Sequence, residues 1–341
     1  MTLTTQIQSG CITRGMGGRW LTNGHLEVCF LKLIAPTSTQ WKNDESRPEN
    51  LSILKTLLQA NTAKGQSLLE QEKPDKPVVI VAPELAFGSS DYDEINSLVN
   101  QCSQNLIFIC GFGFTMGAIL SDLVSKVNVE GVWENTPNSQ KKYNGGWVWI
   151  KEGENTQCHV FIKNYLEQGA ELSVPNLDEG DQILRLEGVD LILFPTICAD
   201  LISAEVSGPR KKIETSLADN CSSNKKTLIT GSLLNSKSSS GWWKTAIGDL
   251  LDSNKGVNPR LLLSNCINPS PVENEVEDKW RCLSGAYQHI EGSKPPKIPL
   301  PNIRYVDDAK FSGLLVRNSL SSCLFGRLNW SNNQAEGLNS L

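Results

Sequence analysis

The chain has 341 residues, of which 39% are hydrophobic and 20% charged, enough apolar material for a large core. Its 27 glycines and 16 prolines are ordinary levels, which excludes collagen-like, coiled-coil and fully disordered chains. A net charge of −5 offers nothing to attract nucleic acid or an anionic lipid surface.

The opening residues MTLTTQIQSGCITRG lack the apolar stretch of a secretory signal, and no run of about 18 apolar residues follows. A cytoplasmic protein without membrane contact is therefore expected. Ten cysteines are too few for a disulfide scaffold and form no C-x-x-C pair. The histidines, His25, His159 and His289, are scattered, so no metal site is expected.

In chain order, LEVCFLKLI at 26–34 is an apolar, β-rich run that predicts a first strand. After a polar loop, Leu51, Leu54 and Leu58 recur at helical spacing beside Ile53 and Leu57, predicting an amphipathic helix to about Ala63. The run VVIVA at 78–82 suits a strand buried on both faces, ended by Pro83-Glu84. Asp91 and Glu94 form a helix-start box before Ile95, Leu98, Val99 and Cys102. LIFICGF at 106–112 is the next strand, and its G-F-G at 111–113 is too short for a dinucleotide fingerprint. GGWVWIKEG and TQCHVFIKNYL predict two β segments around a Gly-containing turn.

Further strands are expected at 189–197, 227–234, 260–267 and 311–318, and helices within 201–226 and from Trp242 to Leu251. Pro195 is unusual inside a central strand. Residues 268–301 are Pro-rich and charged and are expected to be loop or lid, and the tail from Ser331 to fray. The alternation of strands and helices argues for an α/β fold. No composition shift divides the chain, so 1–330 is expected to be one domain, with insertions near 201–226, 235–258 and 268–301 and a tail at 331–341.

Three reactive side chains fall just past predicted strand ends, where sites gather in open α/β folds: Glu84, Lys163 and Cys198. Glu171 lies eight residues beyond Lys163, and Cys198 is followed by Ala199 and Asp200. Taken singly, each is more readily a cap, a solvated strand end or core filler. The aromatics Phe87, Trp133, Tyr143, Trp147 and Trp149, near these segments, could line an apolar pocket or pack in the core. A dyad of His159 with Cys198 is the weaker alternative.

Taken together, V-V-I-V-A-P-E-L-A-F, Y-N-G-G-W-V-W-I, F-I-K-N-Y-L followed by Glu171, and I-C-A-D resemble the nitrilase superfamily of carbon–nitrogen hydrolases. L-L-L-S-N-C and C-L-S-G-A extend the resemblance, which covers about Leu26 to Asn318. It implies a four-layer α-β-β-α sandwich, a homodimer or larger assembly, and no cofactor. It also implies a catalytic set of Cys198 as nucleophile, Glu84 as base, Lys163 as oxyanion stabiliser and Glu171 as a second carboxylate. Ala199 would supply a further backbone donor, and Tyr143 and Trp147 would contact substrate. Lys163 would lower the thiol pKa, making Cys198 the fastest of the ten thiols to alkylate.

The implied reaction is hydrolysis of a small amide-type C–N bond through a Cys198 thioester. Gln168-Gly169-Ala170 departs from the family's usual proline, and Ala199-Asp200 from the Trp-Glu of nitrile hydrolases, which favours an amide over a nitrile. Acyl transfer by the same residues, or a binding protein on the same fold, are the alternatives.

Overall fold

The computed structural model describes residues 7–8, 10–60, 65–73, 75–167, 171–172, 174–203, 205–219, 223–234, 241–266, 284–289 and 322–330. The strands are β1 (Ile7–Gln8), β2 (Cys11–Gly15), β3 (His25–Lys32), β4 (Val78–Val81), β5 (Leu106–Met116), β6 (Val129–Val132), β7 (Lys142–Glu152), β8 (Asn155–Ile162), β9 (Leu177–Asp178), β10 (Ile183–Glu187), β11 (Leu191–Ile197), β12 (Lys226–Leu233), β13 (Arg260–Asn265), β14 (Gly285–Tyr287) and β15 (Ser322–Asn329). The helices are α1 (Ser38–Lys42), α2 (Pro48–Leu58), α3 (Leu68–Glu72), α4 (Tyr92–Gln101), α5 (Gly117–Val124), α6 (Pro209–Ala218) and α7 (Gly241–Ser253).

The strands make two sheets, one in the order β1-β2-β10-β11-β12-β13-β14 and the other β15-β3-β4-β5-β7-β8-β6, with β9 beside β7. Period-2 alternation sorts the side chains of the second sheet. Val79, Val81, Ile107, Ile109, Val148 and Ile150 join residues of β10–β13 in one buried cluster between the sheets. Their neighbours Val78, Ile80, Leu106, Phe108, Trp147 and Trp149 join residues of α2, α4 and α5 in a second. On the first sheet, α6 packs beside β2 and β10, and Cys11 Sγ reaches the Lys212 carbonyl. Each fully buried Val, Leu, Ile or Phe contributes about 1.5–3 kcal/mol, so both clusters hold the sheets in place.

Most expected elements are present, with shifted ends. The first of the expected helices, α2, opens on Pro48, at the position where a missing N–H costs nothing, and stops at Leu58 rather than Ala63. Asp91 accepts from Gly88 N instead of capping α4, and Glu94 pairs with Lys55. Among the described residues the helix expected in 201–226 is α6, and 268–301 contains a strand, β14, on the edge of β13. The strand expected at 311–318 and the tail lie outside the described residues. The register with β10 ends at Leu193, so Pro195 borders only β12 and no ladder donor is missed on the other side.

Candidate active site

The site stands where β4, β8, β11 and β12 end. Glu84 follows β4 in a tight segment: Leu85 has φ 55°, and Pro83 O accepts from Gly111 N. Gly111 allows that approach, since a Cβ there would lie 2.6 Å from Glu84 Cα. The G-F-G thus serves backbone packing rather than a phosphate. Lys163 follows β8, opposite Asn144 of β7, whose carbonyl accepts its N–H at 2.9 Å. Cys198 begins a 3₁₀ turn directly after β11 with φ 39°, a left-handed conformation that costs a cysteine on the order of 1–3 kcal/mol. Asp200 holds that turn: its carboxylate accepts from Ile197 N at 3.4 Å and from Asn164 N at 2.9 Å, joining the cysteine turn to the residue after Lys163.

The buried polar groups form one network. Lys163 Nζ donates to Glu84 Oε1 at 2.9 Å and Glu171 Oε2 at 2.7 Å. Asn144 Nδ2 donates to Glu84 Oε1 and Glu171 Oε1, each at 2.7 Å. Leu234 N–H donates to Glu84 Oε2 at 3.1 Å, and Glu167 N–H to Glu171 Oε2 at 2.7 Å. Glu84, Lys163 and Cys198 are each at most 3% exposed. The Cys198 sulfur lies close enough to feel the charges of Glu84, Lys163 and Glu171, and the Leu234 amide is within hydrogen-bonding reach of it.

Burial raises the Glu84 carboxyl, Lys163 opposes that, and Glu171 adds to it. Burial pulls the Lys163 ammonium down, but Glu84, Glu171 and Cys198 outweigh it and hold the lysine well above its ordinary value. The thiol departs from the expectation. Burial and Glu84 push Cys198 well above the ordinary thiol range, and Lys163 with the Leu234 amide only partly offsets them. Burial and the two carboxylates together outweigh the one ammonium, so the surroundings favour the thiol over the thiolate. The lowered thiol pKa expected from Lys163 is therefore not found. Burial raises Asp200 to about 7, with Lys163 opposing.

Ala199 is buried in the same turn, its carbonyl accepting from Ile202 and Ser203. Tyr143 and Trp147 are not at the site. Alternation on β7 turns both away from Asn144 into the cluster under α4 and α5, where Trp147 packs on Tyr92 and Phe112 and Tyr143 accepts from Asn138 N. His159 is four strand residues from Lys163, about 13 Å along β8, and its imidazole faces Glu130 at 3.8 Å. The dyad with Cys198 is thus excluded. Asn144, Asp200 and the Leu234 amide are the groups whose part sequence reasoning missed. Alternation in Y-N-G-G-W-V-W-I held the signal for the first, since aromatics on one face leave Asn144 on the other. Gln168-Gly169-Ala170 lie outside the described residues. Among the described residues no group of three or more His, Cys, Asp and Glu side chains is arranged to hold a metal ion, and no helix is long and apolar enough to cross a membrane.

No family model and no curated protein matches the chain. Solved structures do. A carbon–nitrogen hydrolase from Helicobacter pylori G27 is 11% identical, with 78% of this chain and 82% of that chain covered and a TM-score of 0.41. XC1258 from Xanthomonas campestris, a CN-hydrolase superfamily protein, is 12% identical, with 74% and 78% covered and a TM-score of 0.38. A glutamine-dependent NAD+ synthetase from Acinetobacter baumannii is 15% identical with a TM-score of 0.40; 72% of this chain is covered, but only 38% of the synthetase. What the chain has of its own is a mixed α/β fold with two multi-stranded sheets and a buried Glu–Lys–Glu–Asn network beside a thiol.

Proposed function

We propose that the chain is a nitrilase-superfamily hydrolase that cleaves a small amide through a Cys198 thioester. The observation that carries this reading is one ammonium, Lys163, shared by two buried carboxylates beside a buried thiol. Ion pairs this dry are costly to build and are a poor route to stability, so chemistry is the better account of them.

In the proposed reaction Glu84 takes the thiol proton as sulfur attacks the carbonyl carbon. Burial suits Glu84 to this, because a raised carboxyl is a stronger base. Two of the three Lys163 N–H groups are spent on Glu84 and Glu171, which leaves the third for the tetrahedral oxyanion. The amide of Ala199, next to the left-handed Cys198, is the second donor. The proton on Glu84 passes to the leaving nitrogen, the C–N bond breaks, and ammonia or an amine departs. Water then attacks the thioester, giving its proton to Glu84; the C–S bond breaks and the thiol is restored. Glu171 keeps Lys163 charged, and Asn144 holds the two carboxylates apart. The reaction uses no cofactor. As in the family, two or more copies would assemble.

The test is a panel of amides, carbamoyl compounds and nitriles, with mass spectrometry of intact protein. Amides add an acyl mass on Cys198, and Cys198→Ala abolishes turnover with circular dichroism unchanged. Hydrolysis by that variant would refute the assignment. An amine such as hydroxylamine that captures most of the acyl group in place of water would make the protein an acyltransferase.

A further inference from the structure

Leu85, Phe114 and Val174 form a small buried apolar cluster apart from both main cores, and Trp41, Leu177 and Leu234 pack against it while remaining only partly buried. Trp41 meets the Phe114 ring edge-on at 4.8 Å. The cluster draws on five separate stretches of chain, and three of its members adjoin the site. Leu85 follows Glu84, the Val174 amide donates to Glu171 O at 2.8 Å, and the Leu234 amide donates to Glu84 Oε2. Of the charged residues beside it, Asp44 accepts from Ser89 N and Thr115 Oγ1, Lys142 Nζ donates to Lys42 O, and the Lys42 ammonium lies over the Trp41 ring, 5.5 Å from its centroid.

Partly exposed apolar side chains beside the buried carboxylate–lysine network fit a ligand wall, since binding sites are mostly apolar with a few convergent polar groups. We infer that this cluster receives the acyl group of the substrate, and that this group is apolar, an alkyl chain or ring without charge. The inference rests on the proposed function, because the acyl carbon must sit at Cys198. It adds the chemical class of substrate.

The experiment compares kcat/KM for linear primary amides from acetamide to hexanamide with that for the monoamides succinamate and glutaramate. Each methylene entering the cluster raises kcat/KM about fourfold. The charged monoamides fall at least a hundredfold behind the alkyl amides of equal length. Trp41→Ala and Leu177→Ser, both with unchanged circular dichroism, flatten the alkyl series while acetamide still acylates Cys198. Charged monoamides that react as fast as alkyl ones, or an alkyl series untouched by both variants, would overturn the inference and leave the hydrolase reading standing. If no amide leaves an acyl mass on Cys198, both fall together.

Discussion

The two faces of β7 were given different work by the same few residues. On the outer face Tyr143, Trp147 and Trp149 stand in a row; Trp149 stacks on Phe108 at 5.6 Å, and Tyr92 of α4 lies against both tryptophans at under 6 Å. This face is bulky and dry, and the indole N–H groups of Trp147 and Trp149 have no acceptor among the described residues. On the inner face the same strand places Asn144, whose side chain spends both amide hydrogens on carboxylates. One face tolerates unmet hydrogen bonds to gain contact area, and the other satisfies charge where little water can reach. Alternation along an extended strand separates the two roles without any turn between them.

The largest separation of these roles comes from truncating the outer face. Trp149→Ala deletes a fully buried ring and lowers unfolding free energy by about 3–5 kcal/mol. Urea unfolding measures that loss. Below the transition, kcat/KM on a reactive amide stays within about twofold, because the ring does not touch the inner network. A tenfold fall in kcat/KM with the fold intact would mean that the strand transmits strain from one face to the other.

This division also decides how much could be read from the chain. Strands that are apolar on both faces, VVIVA and LIFICGF, announced themselves, and the three reactive residues followed because each ends such a run. Residues 183–187 did not: Ile183 and Leu184 precede Arg185, and that guanidinium is buried against Glu187 at 3.0 Å, so a core strand reads as a charged segment. The aromatics misled for a different reason. Tyr143 and Trp147 lie beside Asn144 in sequence, but neighbours on a strand point apart, and pocket and core want the same residue types. The state of the thiol was hidden as well, since it depends on the sum of Glu84, Lys163 and Glu171 at distances that only the fold sets.

Asn144 gives a smaller effect than Trp149 on stability and a diagnostic one on pH. Asn144→Ala removes a donor from each carboxylate, and hydrogen bonds to charged groups are worth about 1.5–3 kcal/mol. The bond to Glu84 favoured its ionised form, so burial lifts Glu84 further when that bond is gone. The proposed base must be ionised to act, so the acid limb of the kcat/KM profile moves to higher pH. At neutral pH the rate falls roughly tenfold to a hundredfold. Asn144→Asp, which adds a third carboxylate, moves the limb in the same direction. An acid limb that stays put in both variants would reduce Asn144 to packing.

The mildest case also lies on the inner side, in the middle of β8. His159 is almost fully buried, and neither ring nitrogen has a hydrogen-bond partner among the described residues. Burial pulls it down to about 4; Glu130 raises it, and Arg14, paired with Glu130 at 2.6 Å, lowers it. Between about pH 4 and 6.5 the unfolded chain therefore takes up a proton that the folded one refuses, so this residue's contribution is complete above pH 6.5 and shrinks as pH falls. At pH 5 the loss is about 2 kcal/mol. Asp200, raised to about 7, has the opposite slope in this range, since there the folded state is the one that keeps its proton. The wild-type slope alone is thus a mixture. The difference between wild type and His159→Gln is not, because Asp200 is common to both. Urea midpoints at pH 8 and pH 5 should show the variant losing about 2 kcal/mol less than wild type across that interval. Equal losses would mean that the dry surrounding of the imidazole opens to water on protonation, with Glu130 close enough to receive it as an ion pair.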